Sequence, residues 1–309
     1  MRMTFALAFL SVLLLSCGSA ETRAAQPGLR ASTAQDVVRR AGCPERPRLG
    51  LFVWDDEGRD ATLALAHANG VTEIYLHANL FYVGERDEAL LAAWIREAAA
   101  RCIEVELLFG NALWMQPSMR AEAVQRTQWT VDFAERHPDA RPTGVHWDLE
   151  PQQRETWSDD SAHIAIFGEL LDTLDAMRPI TARASMPLTL DMGFFLDELE
   201  FTRGGRTRPM HEWVIDAVDR VLVMDYRDEA GPMLEMASNE LRYAAQVHVP
   251  MLLAVETRPI DEGEYVTFHE EGLASLRRVL AEVRAHEQQN ASFAGLAIHD
   301  RVGLEALSP

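Results

Sequence analysis

Beyond residue 47 the chain alternates between two kinds of pattern. Short apolar runs rich in β-branched and aromatic residues, as expected of buried strands, recur as RLGLFVW (48–54), TEIYLH (72–77), IEVELLFG (103–110), GVHWDLE (144–150), ARASMP (182–187), RVLVMDY (220–226), PMLLAVE (250–256) and FAGLAIHD (293–300). Between them lie DATLALAHANG, ERDEALLAAWIREAAARC, MRAEAVQRTQWTVDFAERH, AHIAIFGELLDTLDAMRP, MHEWVIDAVD, MLEMASNELRYAAQVH and EEGLASLRRVLAEVRAHEQ. Several of these place apolar residues at i, i+3, i+4 and i+7, the spacing of a helix with one buried face. Eight strands, each answered by a helix over about 260 residues, predict an α/β fold of the (β/α)8 TIM-barrel type, one domain spanning 48–309. An open doubly wound sheet is the alternative, but it rarely needs eight units, and no GxGxxG follows the first strand.

Composition alters this picture little. The 309 residues are 48% hydrophobic and 25% charged, ordinary for a globular chain. The net charge of −19 argues against a nucleic-acid partner, which needs a basic surface. The ends of the strand runs carry the chemistry. Trp54-Asp55, His77 with Asn79, Asn111 with Trp114, Asp148 with Glu150, Asp225-Tyr226, Glu256 and His299-Asp300 all fall there. Barrel enzymes build their active sites at that C-terminal rim. In GVHWDLEP, His146, Asp148 and Glu150 alternate, so an extended backbone points all three the same way. Glu150, beside Trp147 and next to a second carboxyl, is expected to be partly desolvated with a raised pKa. A protonated carboxyl of that kind is what glycosidic cleavage asks of a general acid. The plainer account ties Asp148 and Glu150 into rim salt bridges with Arg154 or Arg227.

These residues resemble the family-18 glycoside hydrolases, the chitinase-like barrels, whose fourth strand carries DxxDxDxE and whose sixth ends in M-x-Y. Asp148 and Glu150 match the last two acids of that motif, and Met224, Asp225 and Tyr226 match the sixth-strand signature. The resemblance implies Glu150 as general acid, Asp148 orienting the substrate's acetamido group, and Tyr226 supporting the ring intermediate. The chain departs from the pattern at His146 and Thr143, where the family has Asp. A second resemblance is to the retaining glycosidases of the large barrel clan, with an acid ending strand four and a nucleophile ending strand seven. It implies Glu150 as acid and Glu256, in LAVET, as nucleophile, with the carboxyls about 5 Å apart.

Trp54, Phe81, Tyr82, Trp114, Trp157 and Tyr226 fall on or just after strand ends, where aromatic faces can stack on sugar rings. Trp54, His77, Asn79, Asn111, Trp114, His146 and His299 are the candidate substrate-binding residues. His77, His146, His299, Asp148 and Asp300 can be imagined around a metal. However, the first strand has FVWDD in place of the H-x-H of barrel metal hydrolases, and HEXXH is absent. No metal or cofactor is therefore expected, and without Gly-x-Ser-x-Gly neither is a serine hydrolase. In the segment 196–213, Gly204-Gly205 reads as a turn flanked by Arg203, Arg206 and Arg208, either a solvated loop or a contact for an anionic ligand.

Residues 1–16 have a basic Arg2 and an apolar run from Phe5 to Leu15, a signal-peptide core. Leu14-Leu15-Ser16-Cys17 resembles the bacterial lipobox, which implies lipidation of Cys17, export, and anchorage at the periplasmic face or the outer membrane. Residues 17–47, rich in Ala, Arg, Gly, Ser and Pro, are expected to form a tether. Cys43 and Cys102 each precede a strand; an oxidising compartment would let them pair, and two separate buried thiols are the other reading. The expected function is a glycosidase on a polysaccharide or amino-sugar glycan. The alternatives are a glycan-binding barrel without turnover and, behind it, a metal-dependent hydrolase.

Overall fold

Eight parallel strands close on themselves in the computed structural model, which describes residues 42–55, 58–159 and 162–308. The barrel strands are β1 (Leu49–Val53), β2 (Glu73–His77), β3 (Glu104–Gly110), β4 (Gly144–Asp148), β5 (Leu188–Gly193), β8 (Arg220–Met224), β9 (Met251–Glu256) and β10 (Phe293–His299). They pair in chain order around the ring, with β10 returning to β1. The short strands β6 (Glu200–Arg203) and β7 (Arg206–Pro209) form a separate antiparallel hairpin. The helices are α1 (Arg59–Ala68), α2 (Asn79–Tyr82), α3 (Glu88–Ala100), α4 (Arg120–Arg136), α5 (Ala162–Arg183), α6 (Met210–Ala217), α7 (Ala230–Met236), α8 (Ser238–Val247), α9 (Gly272–Glu287) and α10 (Arg301–Ala306). The expected (β/α)8 barrel is the fold observed.

The local reasons are visible in single elements. In α3, Leu91, Trp94, Ile95 and Ala98 recur at helical spacing and are buried, and Asp87 caps the first turn by accepting from the Ala89 amide at 2.8 Å. In β4, Val145 and Trp147 point outward into the layer beneath the helices, leaving Gly144, His146 and Asp148 to face the barrel axis.

The expected fifth strand, 182–187, is not one. Helix α5 runs through Pro179 to Arg183, Ser185 turns the chain at φ 49°, and the strand is LTLDMG, six residues later. Ile180 to Arg183 belong to the end of a long amphipathic helix, and Ala184 to Pro187 form the turn that leads into the strand. The true strand alternates instead, with Leu188, Leu190 and Met192 outward and Thr189 and Asp191 inward.

The barrel interior is layered. Its lower layer is ionic: Arg220 reaches Glu73 at 2.7 Å and Glu106 at 2.6 Å, and Arg48 reaches Glu73 at 2.8 Å. Burial alone would raise the Glu73 pKa, but the two guanidinium charges override it and hold it at about 2. Room for this layer comes from glycines. A Cβ at Gly144 would collide with the Glu106 carboxylate, and one at Gly50 with the Tyr75 ring. Above it lies a mainly apolar layer of Phe52, Tyr75, Leu108, Leu222, Leu252, Ala254, Ala294 and Ala297.

Cys43 and Cys102 form a disulfide, their Cα atoms 5.7 Å apart. With the bond from Arg46 Nη2 to the Cys102 carbonyl at 2.8 Å, it holds residues 42–47, the end of the expected tether, against the barrel. The signal peptide, Cys17 and the rest of the tether lie outside the described residues. Among those described, no helix is long and apolar enough to cross a membrane.

Candidate active site

The top of the barrel opens into a cleft of about 470 Å³, lined by Trp54, Asp148, Glu150, Asp191, Tyr226, Glu256 and His299 among others. A second lobe of about 430 Å³ adjoins it and shares Glu150, Met224, Tyr226 and Glu256. Each of these side chains is carried by the C-terminal end of a strand or the residues just beyond it. The parallel sheet therefore delivers rim positions of the first, fourth, fifth, sixth, seventh and eighth barrel strands to one mouth.

The Asp148 and Glu150 carboxyls lie close enough for their titrations to interact. Burial raises the Glu150 pKa first and the charge of Asp191 adds to it, bringing it to about 7. Burial, then Asp191 and Glu150, push Asp148 well above the usual carboxyl range. Two buried carboxyls this close cannot both ionise at neutrality, so the pair holds one proton. The Glu150 oxygens also accept from the side-chain amides of Gln152, at 2.7 Å, and Gln153.

Asp191 was not among the residues expected at the site, because its strand was placed too early in the chain. The legible trace was the alternation of LTLDMG after Pro187, which puts Thr189 and Asp191 on one face. Asp191 accepts from His146 Nε2 at 2.7 Å. The other ring nitrogen lies 3.3 Å from Glu106, close enough for charge attraction yet poorly aligned for a hydrogen bond. Burial would lower the His146 pKa, but Asp191 and Glu106 override it and raise it to about 9. His146 is thus a fully buried imidazolium under the cleft floor, linking the ionic layer to the site. It does not line the cleft.

On the opposite wall, Glu256 is fully engaged. Its carboxylate accepts from the Thr257 amide at 2.7 Å, the Arg258 amide at 2.8 Å and His299 Nδ1 at 2.7 Å. Trp54 Nε1 donates to His299 Nε2 at 2.9 Å, which fixes the tryptophan at the mouth. Asp300 holds Arg258 with two bonds, at 2.8 and 2.5 Å.

Five expected residues stand elsewhere. His77 supports Trp54 from the side, its Nδ1 3.2 Å from the Trp54 carbonyl. Asn79 accepts from Arg126 Nε at 2.9 Å, and Trp114 is buried with that guanidinium 4.0 Å above its ring. Asn111 caps the short turn that follows β3. Asp225 is turned away from the cleft and buried, with neither carboxyl oxygen hydrogen-bonded, and burial pushes its pKa to about 8. Glu240 of α8, within electrostatic reach, is equally buried and unpartnered and is also raised by burial to about 8. Of the six rim aromatics, Trp54 and Tyr226 line the cleft; Phe81 and Trp114 are core. Tyr82 packs under Arg126, and Trp157 packs against Phe195. The second lobe draws its aromatic surface from Phe194, Phe195 and Tyr265. The basic turn is the β6–β7 hairpin, and two of its three arginines are paired, Arg203 with Asp172 and Asp175 and Arg208 with Asp216, while Arg206 is exposed. Among the described residues no group of three or more His, Cys, Asp or Glu side chains is gathered to hold a metal ion.

Asp225 and Glu240 make stability depend on pH. Their folded pKa values are raised, so the stability they contribute is full below about pH 4 and is lost as pH rises through about 8. Wild-type protein is expected to lose Tm between pH 5.5 and pH 9. The double variant Asp225→Asn, Glu240→Gln should lose distinctly less, and equal losses in the two proteins would refute this assignment.

The chain is thus a parallel eight-stranded (β/α)8 barrel with a carboxyl-lined mouth. Neither a protein-family model nor a curated protein matches the sequence. Solved structures match the fold. A GH18 chitinase from Pseudoalteromonas aurantia aligns at TM-score 0.54 and 11% identity, over 82% of this chain and 93% of that one. A chitinase from Chromobacterium violaceum ATCC 12472 aligns at 0.50 and 13%, over 84% and 98%. A D-psicose 3-epimerase from Clostridium cellulolyticum H10 aligns at 0.50 and 10%, over 82% and 84%. At such identities the likeness is one of fold, and the same barrel hosts different chemistries.

Proposed function

We propose that this chain is a glycoside hydrolase acting on an amino-sugar-containing glycan, exported and anchored through Cys17, with Glu150 as general acid. The observation that carries the reading is the buried Asp148–Glu150 carboxyl pair in the cleft, with Glu150 on the wall common to both lobes. An acid with a pKa of about 7 can release its proton to a glycosidic oxygen and take one back from water at the same pH. The substrate's acetamido oxygen, oriented by Asp148, would attack the anomeric carbon as the bond to the leaving oxygen breaks. Glu150 protonates that oxygen, and water then opens the ring intermediate and returns a proton to Glu150. Tyr226, on the shared wall, supports the intermediate. The chitinase neighbours agree with a substrate of this class. Glu256 is the weaker collaborator, since three hydrogen bonds already take up most of the roughly four acceptor positions of its carboxylate and reduce its nucleophilicity.

Release of reducing ends from chitotetraose tests the proposal. The acid must be protonated to work, so kcat/KM is expected to fall about tenfold per pH unit above about 7. A profile flat to pH 9 would remove Glu150 from that role. One observation favours a second reading, glycan binding without turnover. The Gln152 and Gln153 amides donate to Glu150, and such donors favour its ionised form. Under that reading chitotetraose binds the wild-type protein and is recovered intact.

A further inference from the structure

Glu256, Asp300 and Asp191 at the first lobe each have a partner beside them. Glu256 faces His299, Asp300 grips Arg258, and Asp191 faces the His146 imidazolium. Around the same rim Arg154 closes on Glu169, and Arg301 closes on Asp55 and Glu305. Arg227, in the second lobe, breaks this rule. It follows Tyr226 directly, and among the described residues no carboxylate lies within 4.0 Å of its guanidinium. Glu262, on the same lobe, makes no ion pair with it. One N–H donates to the Tyr226 carbonyl at 2.6 Å, and no other hydrogen bond is made among the described residues. Two rings flank the group, Phe194 at 5.5 Å and Tyr265 at 5.4 Å from its Cζ, and Tyr265 is 58% exposed. Aromatic faces at this range attract the cation and limit its swing, leaving most of a rigid five-donor fork directed to the open lobe.

We infer that the second lobe is a subsite for a carboxylate borne by the glycan, read by the Arg227 guanidinium, with Phe194 and Tyr265 flanking the sugar that carries it. This deepens the glycan reading above and rests on it. The chemistry follows from the donor geometry, since the fork matches a carboxylate with two parallel N–H···O bonds, whereas a neutral hydroxyl uses one. A chain of net charge −19 does not draw anions by its overall field, so selection for one has to come from a local cation. In an amino-sugar glycan the carboxylate comes either from a uronic acid or from a lactyl ether.

The test uses full-length Glu150→Gln protein, so that ligands survive, and calorimetric binding of three tetrasaccharides. One is neutral chitotetraose, one alternates N-acetylglucosamine with glucuronic acid, and one alternates it with N-acetylmuramic acid. At least one acidic ligand is expected to bind about tenfold or more tighter than chitotetraose, and which one does so identifies the source of the carboxylate. Adding Arg227→Met should bring that ratio close to one, and Arg227→Lys should leave an intermediate value, because the charge stays and the fork is lost. Equal binding of all three ligands, or a ratio untouched by Arg227→Met in protein of unchanged Tm, overturns the subsite while leaving the glycan reading in place. Failure of every ligand to bind removes both.

Discussion

Glu150→Gln is expected to lower kcat/KM on chitotetraose by about 10²- to 10⁴-fold, the range a positioned general acid contributes. The substitution keeps the shape of the side chain, and the Gln152 or Gln153 amide that loses its acceptor can turn its own oxygen to the new NH2 group, so folding should be unaffected. It removes the proton that the Asp148–Glu150 pair holds near neutrality. Two companion variants locate the collaborator. Asp148→Asn should approach the same loss, because the pair titrates as a unit and because Asp148 orients the acetamido group. Glu256→Gln should cost far less under acetamido assistance, since Glu256 already accepts three hydrogen bonds and serves to hold His299. A Glu256 variant as inactive as the Glu150 variant would point instead to covalent catalysis. A Glu150→Gln protein of full activity would end the glycosidase proposal altogether.

The second large effect is on stability. Arg220→Met is expected to destabilise the barrel by about 3–5 kcal/mol at pH 7, because the buried Glu73 and Glu106 would lose the counter-ion they share and keep only Arg48 and His146 respectively. Arg48 cannot make up the deficit; it reaches Glu73 and Glu104 and makes no ion pair with Glu106. The dependence on pH has a definite sign. The Glu73 pKa is depressed in the folded state, so its contribution is full above about 4.5 and is lost as pH falls toward about 2. The gap between wild type and variant should therefore narrow in acid, and urea unfolding at pH 7 and pH 3 measures it. A difference below about 1 kcal/mol at pH 7 would mean that water or rearrangement satisfies the two glutamates.

How much of the site was legible in the sequence differs by residue, and the reason is the same each time. Asp148, Glu150 and Tyr226 stand out because each ends an apolar run, and a parallel barrel sends every such end to one mouth. Asn79, Asn111 and Trp114 share that sequence position, yet they cap turns and hold Arg126. Position at a strand's end says nothing of whether the next turn of chain supplies a partner. Asp225 lies between two cleft residues, and the two-residue period of extended chain turns it outward. Asp191 was hidden by an amphipathic helix that continues past Pro179, which displaced the expected strand by six residues.

The sequence by itself determined the barrel, its eight strands save the fifth, and the acidic pair on β4, because hydrophobic period and strand-end polarity are local properties. The tertiary structure alone decided which acid shares a proton with which and which histidine becomes a buried cation. It also decided that Arg227, on the second lobe, has no carboxylate partner among the described residues. These depend on distances between side chains far apart in the chain and on how completely each is taken out of water. Neither quantity is written in local pattern, and both set the charge each group carries.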